Sequence, residues 1–167
     1  SVTVRDLAHD GRGIGQSDGD ENAGKTVFVH GALPDERVRA KLIGRTRQFD
    51  EGVTEEVLES SKDRVMPDCP WFEQCGGCAL LHMSHDAQIK WKHKRLVDNL
   101  QRIGGVAAER WAEPICSAPY GYRRRARLSV RHVAKKGRVL VGFREKQGRF
   151  VADVSSCLVL HEKFSNR

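Results

Sequence analysis

Hydrophobic and polar positions alternate in short runs along the first third of the chain. Val2-Thr-Val4, Thr26-Val-Phe-Val29, Arg37-Val-Arg-Ala-Lys-Leu-Ile43 and Gly52-Val-Thr-Glu-Glu-Val-Leu58 each keep a period of two and are separated by glycine-rich or Pro-Asp turns. Runs of this kind at a spacing of roughly 8 to 12 residues predict a small antiparallel barrel over residues 1–60. Gly11-Arg-Gly-Ile-Gly15 is glycine-rich, but no helical pattern follows it. It is therefore expected to be a loop at the barrel rim and not a dinucleotide-binding turn.

After a polar connector, Ser60 to Met66, the period changes. Ser84 is placed to cap a helix in which Ile89, Leu96, Leu100 and Ile103 recur at helical spacing, and Gly104-Gly105 ends it. Its opposite face carries Lys90, Lys92, Lys94, Arg95 and Arg102, which suits solvation. Beyond Pro114 and Pro119 three strands are predicted, Tyr122 to Val133, Arg138 to Arg144 and Phe150 to Val154, with Lys135-Lys-Gly137 turning the first into the second. Residues 61–167 thus read as a second, α+β domain, and the chain as β-rich α+β. On a strand, Arg123, Arg125 and Arg127 would share one face.

The composition narrows the function classes. Of 167 residues 39% are hydrophobic, which is too apolar for disorder, and the apolar runs fall far short of the roughly 20 residues a membrane-spanning helix needs. No secretory signal pattern is present. The chain opens on Ser1 without a Met, which together with its ending reads as a piece cut from a longer protein. The net charge of +7 is unevenly placed: between Tyr120 and Phe150 eleven Lys or Arg face Glu145 alone, so that the remaining residues sum to −3. Such concentration is the footprint of a polyanion-binding surface, and clustered arginine suits phosphates and base edges. RNA is the favoured partner, ahead of DNA or an anionic protein surface, with Arg123, Arg125, Arg127 and Arg131 as leading contacts. In the barrel, Arg45, Arg47 and Phe49 add the mixture of cation and aromatic that oligonucleotide-binding barrels use.

Five cysteines supply the candidate chemistry. Cys69, Cys75 and Cys78 form C-x5-C-x2-C, Cys116 follows, and Cys157 stands far downstream. An odd count without a secretory signal argues against a disulfide framework. Gly76 and Gly77 are expected to fold the backbone tightly enough to aim Cys75 and Cys78 at one point. Three thiols in ten residues imply a metal. Zinc would take a fourth ligand from His82, His85 or Cys157, whereas an iron-sulfur cluster commonly draws a fourth cysteine from a distant segment. Spacing alone leaves both open.

Several motifs in order carry a family resemblance: the glycine-punctuated barrel, C-P-x-F-x-x-C-G-G-C followed by His82, the Tyr122-Arg-Arg-Arg-Ala-Arg-Leu-Ser strand, Val141-Gly-Phe-Arg144, and Asp153 ahead of Cys157. Together they resemble the N-terminal part of bacterial RNA (uracil-5-)-methyltransferases, above all the iron-sulfur type that acts on 23S rRNA. The resemblance covers nearly the whole chain. It implies a TRAM domain, an OB-like barrel, over residues 1–60. A central domain over 61–167 then holds a 4Fe-4S cluster on Cys69, Cys75, Cys78 and Cys157, with Cys116 a buried thiol.

The family's reaction uses a cysteine nucleophile at C6 of uracil and S-adenosylmethionine bound in a Rossmann-like domain, none of which this sequence contains. The expectation is therefore an RNA-binding and cluster-bearing portion, cytoplasmic, monomeric and inactive alone. Leu81 replaces a glutamine frequent in the family, which leaves the thiol ligands untouched. Three rivals stand beside this reading. One is a zinc-dependent RNA-binding module using His82. Another is a radical S-adenosylmethionine methylthiotransferase, disfavoured because its motif is C-x3-C-x2-C. The third is a tRNA-directed uracil methyltransferase, whose members are expected to lack the barrel and the cysteines.

Overall fold

The computed structural model describes residues 1–18 and 24–165. Five strands, β1 (Val2–Leu7), β2 (Gly13–Ser17), β3 (Thr26–His30), β4 (Arg37–Arg45) and β5 (Phe49–Glu59), close into a barrel of order β1-β2-β3-β5-β4. β4 returns to β1 through Val2 opposite Val38. β3 pairs with β5 in parallel, and the other pairings are antiparallel. Alternation explains the filling. Val2, Val4, Val27, Val29 and Val38 are buried in one core with Ala32, while Thr3, Arg5, Arg37 and Arg39 between them stay exposed. β-Branched side chains stiffen such strands and pack on a pleated surface. Register shifts along β4 and β5 bend the eleven-residue β5, so that its first half serves β3 and its whole length serves β4.

The expected loop at Gly11–Gly15 is in fact the start of a strand. A Cβ at Gly13 would lie 2.9 Å from the Val4 side chain, and one at Gly15 would collide with the Thr3 carbonyl. The glycines are there because β1 passes too close for any side chain.

Two compact units emerge, Ser1–Met66 with His82–Gln88, and Pro67–Leu81 with Ile89–Arg167. In the first, the Glu36 carboxylate is 1% exposed and accepts from the Leu33 N–H (2.8 Å), the Ser61 N–H (3.3 Å) and the Arg64 guanidinium (2.5 and 2.8 Å). This knot ties the connector after β5 to the turn before β4. The Val65 N–H then donates to the His82 carbonyl (3.0 Å), bringing buried His82 into the same unit.

Helix α1 spans His85–Arg102. Its start is capped by the Ser84 hydroxyl, which accepts from the Ala87 N–H (3.4 Å). Its end is closed by the Val106 N–H on the Leu100 carbonyl (2.9 Å), with Gly105 left-handed at φ 62°. In the second unit β6 (Ser129–Val133) and β7 (Arg138–Gly142) form a hairpin through a 3-10 turn at Ala134–Lys136 and left-handed Gly137, as the Lys135-Lys-Gly137 turn predicts. A short helix α2 (Glu162–Ser165) follows.

Two predicted strands are shorter than expected. From Tyr122 to Leu128 the chain makes a single bridge, Arg123 with Leu160, and around 150–154 a single bridge, Arg144 with Val151. Successive arginines leave the first segment without a strand partner that could tolerate them, because like charges placed side by side oppose pairing.

Candidate functional site

Cys69, Cys75, Cys78 and Cys157 line one small cavity of about 20 Å3 in the second unit, walled by Trp71, Phe72, Leu81, Phe143, Leu158 and Val159. All four thiols are free and partly buried. The first three are placed by a tight turn. The Phe72 N–H donates to the Cys69 carbonyl (3.1 Å), the Cys75 N–H to the Trp71 carbonyl (2.7 Å), and the Gly77 N–H to the Cys75 Sγ (3.5 Å).

That turn is fastened to the segment after β7. The Gly76 N–H donates to the Arg144 carbonyl (2.8 Å) and the Lys146 N–H to the Gln74 carbonyl (2.9 Å). The need for Gly76-Gly77 is one of contact, not of unusual dihedrals, since neither has a positive φ. A Cβ on Gly76 would stand 2.7 Å from the Arg144 carbonyl oxygen, and one on Gly77 2.7 Å from the Phe143 ring. Cys157 arrives from the other side, its N–H donating to the Ser165 carbonyl and its own carbonyl accepting from the Ser165 hydroxyl, both at 3.0 Å.

Electrostatics tie the four sulfurs together. Burial pushes the Cys78 thiol up to about 11; Arg123 pulls it back, and the neighbouring sulfurs of Cys157, Cys75 and Cys69 add to the rise. Cys75 is raised too, first by burial, with the Gly77 N–H opposing and Cys157 and Cys69 reinforcing. Without a cation beside them the Cys75 and Cys78 thiols keep their protons near neutrality, so that metal uptake there must release protons. Two cations already flank the cavity. The Lys146 ammonium sits 3.2 Å from the Phe72 ring centre, and Arg123 donates to the Gly77 carbonyl (3.3 Å) with its guanidinium 5.6 Å from the Phe143 ring centre.

The donor set is all sulfur, in an apolar wall with no His, Asp or Glu among its lining residues. That chemistry suits a thiolate-held metal group carrying net negative charge. Among the described residues, no three His, Cys, Asp or Glu converge closely enough to hold a single ion. His82 does not line the cavity, and Cys157 does. Cys116 is exposed, contrary to the buried thiol expected, because it lies in the irregular stretch between α1 and β6, where it reaches only the Pro114 carbonyl (3.5 Å).

Beside the cavity, and sharing Trp71 and Val154 with it, opens a larger cleft of about 660 Å3. Lys136 and Arg138 lie on its wall, both paired to Asp153 at 2.6 and 2.7 Å.

The arginines named from the sequence fall into separate places. Arg123 is partly buried against the cysteine turn, whereas Arg125, Arg127 and Arg131 are exposed. In the first unit Arg45 and Arg47 are exposed at the β4–β5 turn, which the Thr46 hydroxyl closes by donating to the Phe49 carbonyl (2.6 Å). Phe49 meets Phe28 edge to face at 5.3 Å, and the Arg12 guanidinium lies 4.8 Å over Phe28. Phe28 and Arg12 were missed by sequence reasoning. The signal was present in the alternation of β3, which turns Phe28 away from buried Val27 and Val29.

Comparison with known proteins supplies the context. The TRAM domain model matches residues 1–53. The chain is 50% identical over 157 residues to the 23S rRNA (uracil(1939)-C(5))-methyltransferase of Stenotrophomonas maltophilia, covering 94% of this chain and 35% of that protein. It is 51% identical to the protein of the same name from Xanthomonas euvesicatoria over 93% of this chain, and 45% identical to that of Alkalilimnicola ehrlichii over 99%. The chain spans about a third of the length of these relatives.

Among solved structures, the tRNA (uracil-54, C5)-methyltransferase of Pyrococcus abyssi, in complex with S-adenosyl-L-homocysteine, aligns over 97% of this chain and 33% of its own with a TM-score of 0.55 and 25% identity. A tRNA-directed enzyme therefore shares this architecture, the barrel included, against the expectation that such enzymes lack it.

Proposed function

We infer that this chain, a member of the RNA uracil-C5-methyltransferase family by homology along nearly its whole length, is the RNA-gripping and cluster-bearing portion of an enzyme that makes 5-methyluridine in 23S rRNA. The observation that carries the reading is the meeting of four cysteines, 88 residues apart in sequence at the extremes, on one apolar cavity flanked by Lys146 and Arg123. Four thiolates and two nearby cations match a 4Fe-4S cluster, whose net charge is negative and whose ligands are cysteines. Such a group would be structural here. It would bind the turn at Cys69–Cys78 to the segment at Cys157 and so hold the β6–β7 hairpin and its arginines in place.

RNA contact is assigned to Arg125, Arg127 and Arg131 in the second unit and to Arg45, Arg47 and Phe49 in the barrel, where Phe28 and Arg12 extend the same surface. Exposed arginine beside aromatic rings grips phosphate and stacks unpaired bases. Arg123 acts on the cluster side, its charge turned toward Cys78. The methyl donor, S-adenosylmethionine, and the nucleophile belong to the part of the enzyme outside this chain, so the chain alone transfers no methyl group. The whole protein would work as a monomer in the cytoplasm. Ribosomal RNA is preferred to tRNA because the relatives at 45–51% identity are named for 23S rRNA, against 25% for the tRNA enzyme.

Anaerobic purification tests the cluster. About four iron and four sulfide per chain are expected, with Cys157→Ser lowering both the iron content and the melting temperature. One zinc per chain, unaffected by Cys157→Ser and lost in His82→Ala, would replace this reading with the zinc module.

A further inference from the structure

Trp71 follows Cys69 by two residues and lines the four-cysteine cavity. Its indole Nε1–H is buried and has no hydrogen-bond partner among the described residues. Trp91 Nε1 is in the same condition, but Trp91 is not part of the cavity wall. An indole N–H can only donate, and a buried donor left unpaired costs about 1–3 kcal/mol. A protein that keeps one at this point has an acceptor for it. The cavity lining that Trp71 belongs to offers mostly carbon, from Phe72, Phe143, Leu158 and Val159, together with the sulfurs of four cysteines.

We propose that Trp71 donates a hydrogen bond from Nε1 to a sulfur of the cluster held by Cys69, Cys75, Cys78 and Cys157, an inference that rests on the four-cysteine reading above. Trp71 is a positioning residue: it supplies no metal ligand and acts through its N–H. An N–H···S bond strengthens as the sulfur gains negative charge, so it favours the reduced cluster and raises its reduction potential. The Lys146 ammonium over Phe72 works in the same direction from a second wall. Trp71 also lines the larger cleft that carries Lys136 and Arg138, so its ring forms part of the partition between the sulfurs and that cleft. Water entering from the cleft meets this ring.

The test uses the full 167-residue chain with its cluster assembled anaerobically. Trp71→Phe removes the donor and keeps an aromatic ring. Replacement of Trp71 by benzothienylalanine keeps the bicyclic shape and exchanges only N–H for sulfur, which guards against a folding defect. Redox titration with dithionite as reductant is read by the visible absorption of the cluster, alongside iron and sulfide per chain. With metal content unchanged, both variants should show the reduced-to-oxidised ratio at the wild-type midpoint falling about threefold or more, since a tenfold ratio in a one-electron couple corresponds to about 59 mV. Trp91→Phe should leave the midpoint where it is.

A full iron complement with an unchanged midpoint in the benzothienylalanine protein overturns the hydrogen bond while leaving the cluster standing. Absence of iron from the wild type overturns both.

Discussion

The barrel and the cysteine-bearing unit are held together by different means. Every barrel strand has two hydrogen-bonded neighbours, and its interior is filled by valines that need no partner beyond one another. In the second unit one two-stranded hairpin with its 3-10 turn, α2 and the part of α1 from Ile89 onward account for the regular structure among the described residues, and the chain between Val106 and Leu128 is irregular. Apolar side chains there stand in the open: Ile103 is 83% exposed and Ile115 fully so. A closed ladder is its own core. On the four-cysteine reading proposed above, a unit with so little paired backbone would depend on what its sulfurs hold, as in small domains whose folding energy is a metal's binding energy.

If the proposed cluster is there, stripping its metal should separate the two most sharply. Chelation of iron under anaerobic conditions is expected to lower amide protection in Cys69–Cys78 and around 143–158 by more than a hundredfold, while β1 to β5 keep theirs, because local stability follows local contacts. Hydrogen exchange with mass spectrometry reads both units in one experiment. Equal loss in the barrel would mean that its ladder is not self-sufficient.

The barrel has a weak point of its own, and it is electrostatic. Burial alone would raise the Glu36 carboxyl, but the hydrogen bonds from Arg64, the Leu33 N–H and the Ser61 N–H outweigh it and hold Glu36 below its usual 4.5. A carboxylate depressed in the folded state stabilises it above its unfolded pKa and loses that contribution as pH falls through the folded value. Glu36→Gln leaves Arg64 without its counter-charge and should cost about 2–3 kcal/mol at pH 7, below the roughly 3–5 of a fully buried broken pair because Arg64 is partly exposed. Denaturant unfolding followed by far-ultraviolet circular dichroism, repeated between pH 7 and pH 3, should show the gap between wild type and variant closing below pH 4.5. A gap independent of pH would remove the ion pair from the account.

The same contrast explains what was legible from residues alone. Period two identified four barrel strands, because half-buried strands must alternate. β2 was hidden by Gly13 and Gly15, whose meaning lies in the closeness of Thr3 and Val4 and not in any local pattern. The second unit alternates less clearly, and there the strand predicted from Tyr122 keeps only Ser129–Val133 with a bridge at Arg123, while the one predicted from Phe150 shrank to a single bridge. The local C-x5-C-x2-C spacing singled out three thiols and left Cys157 as one of several candidates for a fourth ligand; only the resemblance chose it, since no local rule links positions that far apart. Arg123 read as one of a row of RNA contacts; its hydrogen bond to Gly77 and its place over Phe143 depend on tertiary packing that a sequence does not display.

The smallest predicted effect concerns charge rather than order. Asp153 holds both Lys136 and Arg138, so two cations of the basic hairpin are engaged within the protein. The same ion pairs lower the Asp153 carboxyl below its usual range, the Lys136 hydrogen bond contributing most. Asp153→Asn would free these cations for phosphate and would not disturb packing, because the carboxylate sits at the surface. The variant is expected to melt at the wild-type temperature, to bind an rRNA oligonucleotide more tightly at low salt, and to lose affinity more steeply as salt rises, because each added phosphate contact releases counterions. Equal slopes for the two proteins would place the RNA-binding surface elsewhere than on the walls of this cleft and leave the exposed Arg125, Arg127 and Arg131 to carry it.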